Sequence, residues 1–202
     1  MSIKAVIFDL YGTLIQADKV SWEPYLPLVK KIGINEKEFR YHLLTNDYPS
    51  LEALFYNFSM NDSDLLARLK SEVAGVIDSA RFYDDTESTL VELKSKGLKL
   101  GLISNVSSAY KYPFFRLGLD KYFDLWILSC NSGFKKPSIS ILNLMTDTLS
   151  VDSKKALMIG DSYSSDYLGA KNAGMNALLL DRDDRSDLKD KIISLKDIFA
   201  YL

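Results

Sequence analysis

Short runs of consecutive apolar residues, each bounded by turn-forming residues, recur along the chain. These runs are residues 4–9, 98–104, 123–129, 156–161 and 176–181. An unbroken apolar run is typical of a strand covered on both faces, whereas alternation is typical of a strand with one face in water. The pattern therefore predicts a parallel sheet of about five strands with both faces buried.

Helical patterns separate the later runs. Residues 86–96 place Leu90 and Leu93 three apart and end at Gly97, a favoured residue just after a helix. Ser138 can cap a second helix in the next connection. Because strands and helices alternate along the chain, we expect an α/β fold with a doubly wound, Rossmann-like sheet.

One long segment interrupts this order. From residue 16 to residue 83 the sequence shows helical patterns and no convincing strand. The clearest of these patterns are residues 36–44, 50–58 and 63–77. Because the segment follows the first strand directly, we expect it to form an inserted helical domain. The predicted organisation is an α/β core domain of residues 1–15 and 84–202 and an all-helical domain of residues 16–83.

The composition narrows the class of protein. Of 202 residues, 47% are apolar and 26% are charged, which is typical of a soluble globular protein. The net charge is −2 and no block of Lys or Arg occurs, so nucleic acid is not an expected partner. A single cysteine, Cys130, suits a reducing compartment, and no apolar run has the length of a secretory signal or a membrane span. We therefore expect a cytoplasmic protein without a membrane partner.

Chemically useful side chains stand where the predicted strands end. Residues at or just after these ends are Asp9, Ser104, Asn105, Asp161 and Asp166, and Lys136 lies in the connection between the third and fourth strands. Each of them alone has an ordinary explanation as a turn residue or a solvated charge. Ligands of parallel α/β sheets, however, bind beyond the carboxyl ends of the strands. Together these residues predict a reactive site at that edge.

Four motifs in order resemble those of the haloacid dehalogenase superfamily of phosphatases and dehalogenases. They are VIFDLYGT (6–13), LISN (102–105), KKPS (135–138) and MIGDSYSSD (158–166). The resemblance covers the whole chain, and the inserted segment lies where this superfamily carries its helical cap. It implies a hydrolase acting on a small-molecule substrate, and we expect a monomer or a homodimer.

The resemblance also implies roles for single residues. Asp9 is the nucleophile, Ser104 and Asn105 hold the transferring group, and Lys136 neutralises charge. The Thr13 hydroxyl can tie the following turn together and is a further candidate contact to the substrate. Electrostatics agrees with these roles, because a carboxylate can attack an anionic phosphoryl group only where positive charge offsets the repulsion.

A Mg²⁺ site is implied beside the nucleophile. Its expected ligands are Asp9, the main-chain carbonyl of Tyr11, Asp161 and Asp166. Mg²⁺ prefers a near-octahedral shell of oxygens and keeps several waters, so a few protein oxygens suffice. Without a cation, each pair of carboxylates about 5 Å apart would repel by about 3 kcal/mol at an effective dielectric constant near 20.

Tyr11 departs from the phosphatase pattern of the superfamily. The phosphatases carry a second Asp two residues after the nucleophile, where it protonates the departing alcohol, whereas the dehalogenases carry Tyr and expel halide, which needs no proton. A phenol with a pKa near 10 is a weak catalytic acid. Taken alone, Tyr11 therefore favours a dehalogenase.

The fourth motif favours the opposite answer. The dehalogenases work without a metal and typically have a serine and an asparagine where this chain has Gly160, Asp161 and Ser162. We therefore interpret the chain as a Mg²⁺-dependent phosphatase that forms an aspartyl intermediate on Asp9. A metal-independent 2-haloacid dehalogenase with the same nucleophile is the first alternative. A catalytically silent binding module is the second.

The inserted segment offers few further signals. A dehalogenase would need a cation there to hold a substrate carboxylate, and Arg40 and Arg81 are available, although their context favours solvated helix charges. His42 is interpreted as a packing or surface residue. The aromatic residues are expected to form the segment's own core rather than a ligand site. These aromatic residues are Trp22, Tyr25, Phe39, Phe55 and Phe58.

Overall fold

The computed structural model describes residues 2–18 and 22–202, so residue 1 of the predicted core domain and residues 19–21 of the predicted helical domain lie outside the described residues. In this part of the chain the strands are β1 (Ala5–Phe8), β2 (Ile15–Gln16), β3 (Arg81–Phe82), β4 (Lys99–Ser104), β5 (Leu125–Leu128), β6 (Ala156–Gly160), β7 (Asn176–Leu180) and β8 (Lys191–Ile192). Six of them form one sheet in the order β5-β4-β1-β6-β7-β8. Every neighbouring pair in this sheet is parallel.

The predicted fold class is confirmed, because each of the five apolar runs contains one strand of this parallel sheet. The sixth strand, β8, is two residues long and gives no pattern that a sequence could reveal. Val6 and Phe8 of β1 belong to the apolar cluster on one face of the sheet, and Ala5 and Ile7 belong to the cluster on the other. Burial of both faces explains why the runs are unbroken.

Helices cover both faces of the sheet and fill the inserted segment. Within the described residues the α-helices are α1 (Leu26–Ile32), α2 (Glu36–Thr45), α3 (Leu51–Asn57), α4 (Ser63–Ser79), α5 (Thr86–Ser95), α6 (Tyr112–Arg116), α7 (Ser129–Ser132), α8 (Ile139–Thr148) and α9 (Gly169–Asn172), and a π-helix, Tyr163–Leu168, precedes α9. Two of the predicted helix ends are confirmed. Ser138 accepts a hydrogen bond from the Ser140 backbone N–H at the start of α8. Gly97 lies just after the end of α5 and has a φ of 74°. Among the helices described here, none is both long and apolar enough to cross a bilayer.

The segment between β1 and α5 departs from the sequence prediction in one respect. Strands β2 and β3 pair antiparallel, Ile15 opposite Phe82 and Gln16 opposite Arg81, although no strand was expected between residues 16 and 83. Two-residue strands are too short to show alternation, which is why the pattern missed them. This ribbon brackets helices α1 to α4, whereas the predicted domain boundaries themselves stay a prediction.

Polar contacts tie the inserted helices to the segments that follow β4 and β5. Asp47, between α2 and α3, accepts hydrogen bonds from Ser108 Oγ (2.6 Å), Lys111 Nζ (2.8 Å) and Asn131 Nδ2 (2.6 Å). Arg116 donates to the backbone carbonyls at the end of α4. These contacts hold α2 over the carboxyl edge of the sheet.

A second network lies at the base of the insertion. The Arg182 guanidinium donates to both carboxylate oxygens of Asp85 at 3.0 Å and to the Thr13 carbonyl at 2.8 Å. Asp85 also accepts from Ser194 Oγ and the Leu195 N–H, each at 2.9 Å. Burial alone would raise the pKa of Asp85, but the hydrogen bonds from Arg182, Leu195 and Ser194 outweigh burial and lower it. The network joins three separate parts of the chain.

Substitution Asp85→Asn should therefore destabilise the fold. We expect the free energy of unfolding to fall by about 3 kcal/mol at pH 7, because Arg182 would lose its ionic partner in a mostly buried position. Since the folded-state pKa of Asp85 lies below its unfolded value, its contribution is complete above about pH 4 and is lost as the pH falls through the folded pKa. Urea unfolding at pH 7 and at pH 3 measures both effects.

The matched control is Asp183→Asn. Asp183 pairs with Arg185 on the surface, where the two side chains are 65% and 81% exposed. This variant should change the free energy of unfolding by less than about 0.5 kcal/mol. Equal losses at Asp85 and Asp183 would contradict the role assigned to the network.

Candidate active site

A cavity of about 380 Å³ lies at the carboxyl edge of the sheet, under the inserted helices. Strands β1, β4 and β6 end there, and the connection between β5 and β6 passes beside it. Predicted site residues that line this cavity are Asp9, Tyr11, Ser104, Asn105, Lys136, Asp161 and Asp166. Thr13 is not part of the lining: it is fully buried in the turn after Asp9, so its substrate contact stays a prediction.

Asp9 is placed by the central strand and by a turn that requires glycine. Its backbone N–H donates to Ile159 O at 2.9 Å, which continues the ladder between β1 and β6 by one residue. The chain then turns at Gly12, whose φ is 78°. A Cβ at Gly12 would lie 2.3 Å from Asp161 Oδ2, so only glycine lets this carboxylate approach the loop after Asp9.

Lys136 is the buried cation of the site. Its ammonium lies 2.5 Å from Asp9 Oδ1 and 2.7 Å from Asp166 Oδ1, and it donates to Ile103 O at 2.6 Å. Burial would lower the pKa of Lys136, but Asp166 and Asp9 outweigh burial and raise it. Lys136 therefore stays protonated at neutral pH and positions both carboxylates.

Asn105 acts on the backbone of Lys136. Its Nδ2 donates to Lys136 O and its Oδ1 accepts from the Lys136 N–H, both at 2.8 Å. The amide is thereby committed to positioning the lysine, and the predicted contact to the transferring group stays a prediction. Ser104 is 2% exposed and lines the cavity at the end of β4.

Negative charge exceeds positive charge in this cluster. Burial, chiefly, raises the pKa of Asp9 to about 7; Lys136 opposes this rise, whereas Asp166 and Asp161 add to it. Burial also raises the pKa of Asp161, with a further contribution from Asp166. In the described part of the chain, the Lys136 ammonium pairs with two of these carboxylates, Asp9 and Asp166, and an additional cation would relieve the repulsion among all three.

The donor set fits Mg²⁺. One oxygen each of Asp9, Asp161 and Asp166 lies within 4.8 Å of the others. All three donors are carboxylates, the ligand type that Mg²⁺ prefers. The close approach of Asp161 at Gly12 brings the third carboxylate to the same loop as Asp9. The expected ligation by the Tyr11 carbonyl stays a prediction.

The Tyr11 hydroxyl is already hydrogen-bonded within the protein. Its hydroxyl donates to the Tyr110 carbonyl at 2.8 Å. Burial, chiefly, raises the pKa of this phenol above its usual value. A hydroxyl that is already bonded and harder to ionise is a poor general acid, so the geometry does not support proton donation by Tyr11.

The roof of the cavity contains residues that the sequence did not assign to it. Trp22 and Tyr25 line the cavity, although they were expected to serve only as core. Arg40 also lines it, with its guanidinium 5.3 Å from the centroid of the Trp22 ring, whereas Arg81 contacts Asp18 on the surface. Arg40 is exposed, as expected for a solvated helix charge, and it also lines the cavity.

Other expectations for the inserted segment hold. Phe39 and Phe55 are buried in the main apolar cluster. His42 packs its ring against Tyr48 and Phe58, as expected for a packing residue.

Ser107, in the loop after β4, also lines the cavity, although it is not among the site residues predicted from the sequence. It lies two residues after Asn105, at an edge that the topology already marked as functional. Its position in the same loop as Asn105 is the sequence signal for this residue.

Comparison with known proteins places this geometry in a family. The sequence model for haloacid dehalogenase-like hydrolases matches residues 3–174. A glyceraldehyde 3-phosphate phosphatase of Methanothermobacter thermautotrophicus is 38% identical over 104 residues, 51% of this chain and 46% of that protein. The chain thus spans about half the length of this relative. A glyceraldehyde 3-phosphate phosphatase of Pyrococcus abyssi is 27% identical over 87% of this chain and 80% of its own length.

A solved structure gives the same result. The HAD phosphatase of Thermococcus onnurineus superposes with a TM-score of 0.67 at 28% identity, covering 98% of this chain and 97% of that one. The family match spans most of the chain and includes Asp9, Ser104, Lys136 and Asp161. The chain belongs to the haloacid dehalogenase-like hydrolases.

Proposed function

We propose that the protein is a Mg²⁺-dependent phosphatase that acts on a small phosphorylated metabolite through an aspartyl-phosphate intermediate on Asp9. One observation carries the proposal: one carboxylate oxygen each of Asp9, Asp161 and Asp166 lies within 4.8 Å of the others, and buried Lys136 pairs with two of the three, Asp9 and Asp166. That surplus of negative charge suits a site that works with a divalent cation and disfavours one that works without it.

Each residue of the site has its own part in the proposed reaction. An Asp9 carboxylate oxygen attacks phosphorus, the bond between phosphorus and the ester oxygen breaks, and the departing oxygen takes a proton from water. A second water then attacks the phosphorus of the aspartyl phosphate, which releases inorganic phosphate and regenerates Asp9. Lys136 holds Asp9 in place and offsets charge throughout. Mg²⁺ held by Asp9, Asp161 and Asp166 would polarise the phosphoryl oxygens.

Two further observations support a small phosphate ester as the substrate. A cavity of about 380 Å³ lies at the lower end of the range for small-molecule sites. Both glyceraldehyde 3-phosphate phosphatases compared above carry names that specify a three-carbon phosphate ester.

The occupied Tyr11 hydroxyl predicts a preference among leaving groups. Without a positioned acid, esters whose oxygen leaves as a stable anion should react best. We expect kcat/KM for 4-nitrophenyl phosphate to exceed that for propyl phosphate by about 100-fold, and 2-chloropropionate to release no chloride. A screen of these three compounds, each with Mg²⁺ and with excess chelator, measures this.

A second candidate function is 2-haloacid dehalogenation. Arg40 at the cavity favours it, because a cation there could hold a substrate carboxylate, and Tyr11 at the first motif agrees. Chloride release in chelator, with no hydrolysis of either phosphate ester, would establish this alternative and refute the phosphatase. Binding without turnover of any of the three compounds would favour a silent module.

A further inference from the structure

Two buried hydroxyl groups in the cavity wall have no part in the reaction described above. Tyr25 is fully buried and Ser107 is 3% exposed, and both line the cavity that holds Asp9. Across residues 2–18 and 22–202, neither the Tyr25 phenol oxygen nor Ser107 Oγ has a hydrogen-bond partner. Buried polar groups are nearly always hydrogen-bonded, so an unpaired one in a cavity wall is a candidate contact to a ligand.

Ser107 is unpaired although its position offers a partner. It stands at the N-cap of the short helical turn Ser108–Lys111, yet its side chain makes no capping hydrogen bond. Serines at other helix starts do accept a backbone N–H, as Ser50, Ser138 and Ser194 show. The hydroxyl of Ser107 is therefore not engaged by its own helix, and the residue lies in the cavity wall.

The Tyr25 side chain is held in place by two neighbouring aromatic rings. Tyr25 ends the turn Glu23–Tyr25, and its ring packs against Phe39 and Tyr110 at centroid distances of 6.2 and 6.4 Å. Burial, chiefly, raises the pKa of its phenol, so the group stays neutral and can donate as well as accept. Ser107 lies close enough to lower that pKa, but the two oxygens do not have hydrogen-bond geometry.

We propose that Tyr25 and Ser107 form a subsite that hydrogen-bonds a hydroxyl or carbonyl oxygen on the carbon chain of the phosphate ester. The proposal deepens the phosphatase function and rests on it. Two neutral groups that donate and accept match a neutral oxygen better than a second anion. Ser107 comes from the sheet edge and Tyr25 from the inserted segment, so the subsite forms only where the two meet.

A binding series tests the subsite without turnover. Three esters share one skeleton and one charge and differ only at the second carbon: 2-hydroxypropyl phosphate, hydroxyacetone phosphate and propyl phosphate. Calorimetric titration uses the Asp9→Asn variant, in which the esters persist. We expect at least one of the two oxygenated esters to bind about 10-fold more tightly than propyl phosphate, and their comparison tells hydroxyl from carbonyl.

Single substitutions test whether Tyr25 and Ser107 cause the difference in affinity between the esters. Tyr25→Phe and Ser107→Ala, each added to Asp9→Asn, should reduce the 10-fold difference to about 3-fold or less and leave propyl phosphate binding within about 2-fold. Thr89→Val is the matched control, since Thr89 on α5 is also a buried hydroxyl without a partner in the described chain but does not line the cavity. It should keep the full difference.

The outcomes separate the subsite from the phosphatase function. Equal affinity for the three esters, no binding of any of them, or equal weakening of all three by Tyr25→Phe would overturn the subsite. Hydrolysis of 4-nitrophenyl phosphate by the wild-type protein, which needs no oxygen at a second carbon, reports on the function alone. A binding preference without that hydrolysis would keep the subsite and reject the phosphatase.

Discussion

Asp9→Asn should reduce phosphate-ester turnover by about 10⁴-fold or more, since loss of a covalent nucleophile removes the reaction path itself. An amide has nearly the same shape as the carboxylate but cannot form the acyl phosphate. Stopped assays with hydroxylamine, which traps acyl phosphates, should detect the intermediate in the wild-type protein and not in the variant. Residual turnover above about one hundredth of wild type would place the nucleophile elsewhere.

The fold should survive this substitution. Lys136 would keep its ion pair with Asp166 and its hydrogen bond to Ile103 O, so no buried charge is left without a partner. The folded-state pKa of Asp9, about 7, lies above its ordinary value of 3.8, so the stability lost to this ionisable group grows as the pH rises from about 4 and is complete above about pH 7. Unfolding of Asp9→Asn in urea should therefore show no loss of stability at pH 8. Asp183→Asn, the same chemical change on the surface, should retain full turnover.

The sheet edge could be predicted because topology alone determines it. Once five apolar runs form parallel strands, the residues after each strand must share one edge, and Asp9, Ser104 and Asp161 do so. Lys136 could be predicted to lie near them, because its connection returns to the same edge. Hydrophobic periodicity carries this information without any knowledge of side-chain contacts.

The side-chain partners could not be predicted in the same way. Tyr11 is bonded to the Tyr110 carbonyl, 99 residues away, and Asn105 to the Lys136 backbone, 31 residues away. Such contacts depend on how loops pack after the sheet has formed. Each gives a side chain a structural task that a motif, as a string of residue types, does not encode.

The roof of the site was missed for a related reason. Periodicity marks Tyr25 as apolar and buried, which it is, but it does not show which buried side chains face the sheet edge. Asp47 anchors the end of α2, which carries Arg40 to the cavity, and Trp22 joins the lining beneath the Arg40 guanidinium. These contacts at the roof are ones that no local pattern in residues 16–83 reveals.

Removal of divalent metal should abolish hydrolysis almost as completely as loss of the nucleophile. We expect excess chelator to lower turnover about 10³-fold, since Lewis-acid stabilisation of the phosphoryl group supplies several kcal/mol. Added Mg²⁺ should restore activity, and Ca²⁺, which prefers longer bonds and a larger shell, should restore little. Turnover that persists in chelator would refute the metal-dependent phosphatase.

A stability measurement makes the metal prediction independent of activity. Mg²⁺ at about 100 times its dissociation constant should raise the free energy of unfolding by about 2.7 kcal/mol, because only the folded chain gathers the three carboxylates. Asp161→Asn should remove this stabilisation and leave the metal-free protein no less stable, since burial and Asp166 already disfavour the ionised Asp161 side chain. The surface variant Asp183→Asn should respond to Mg²⁺ like wild type. If Asp161→Asn also keeps the full response, the cation binds outside this cluster and the assignment of Asp161 as a ligand is wrong.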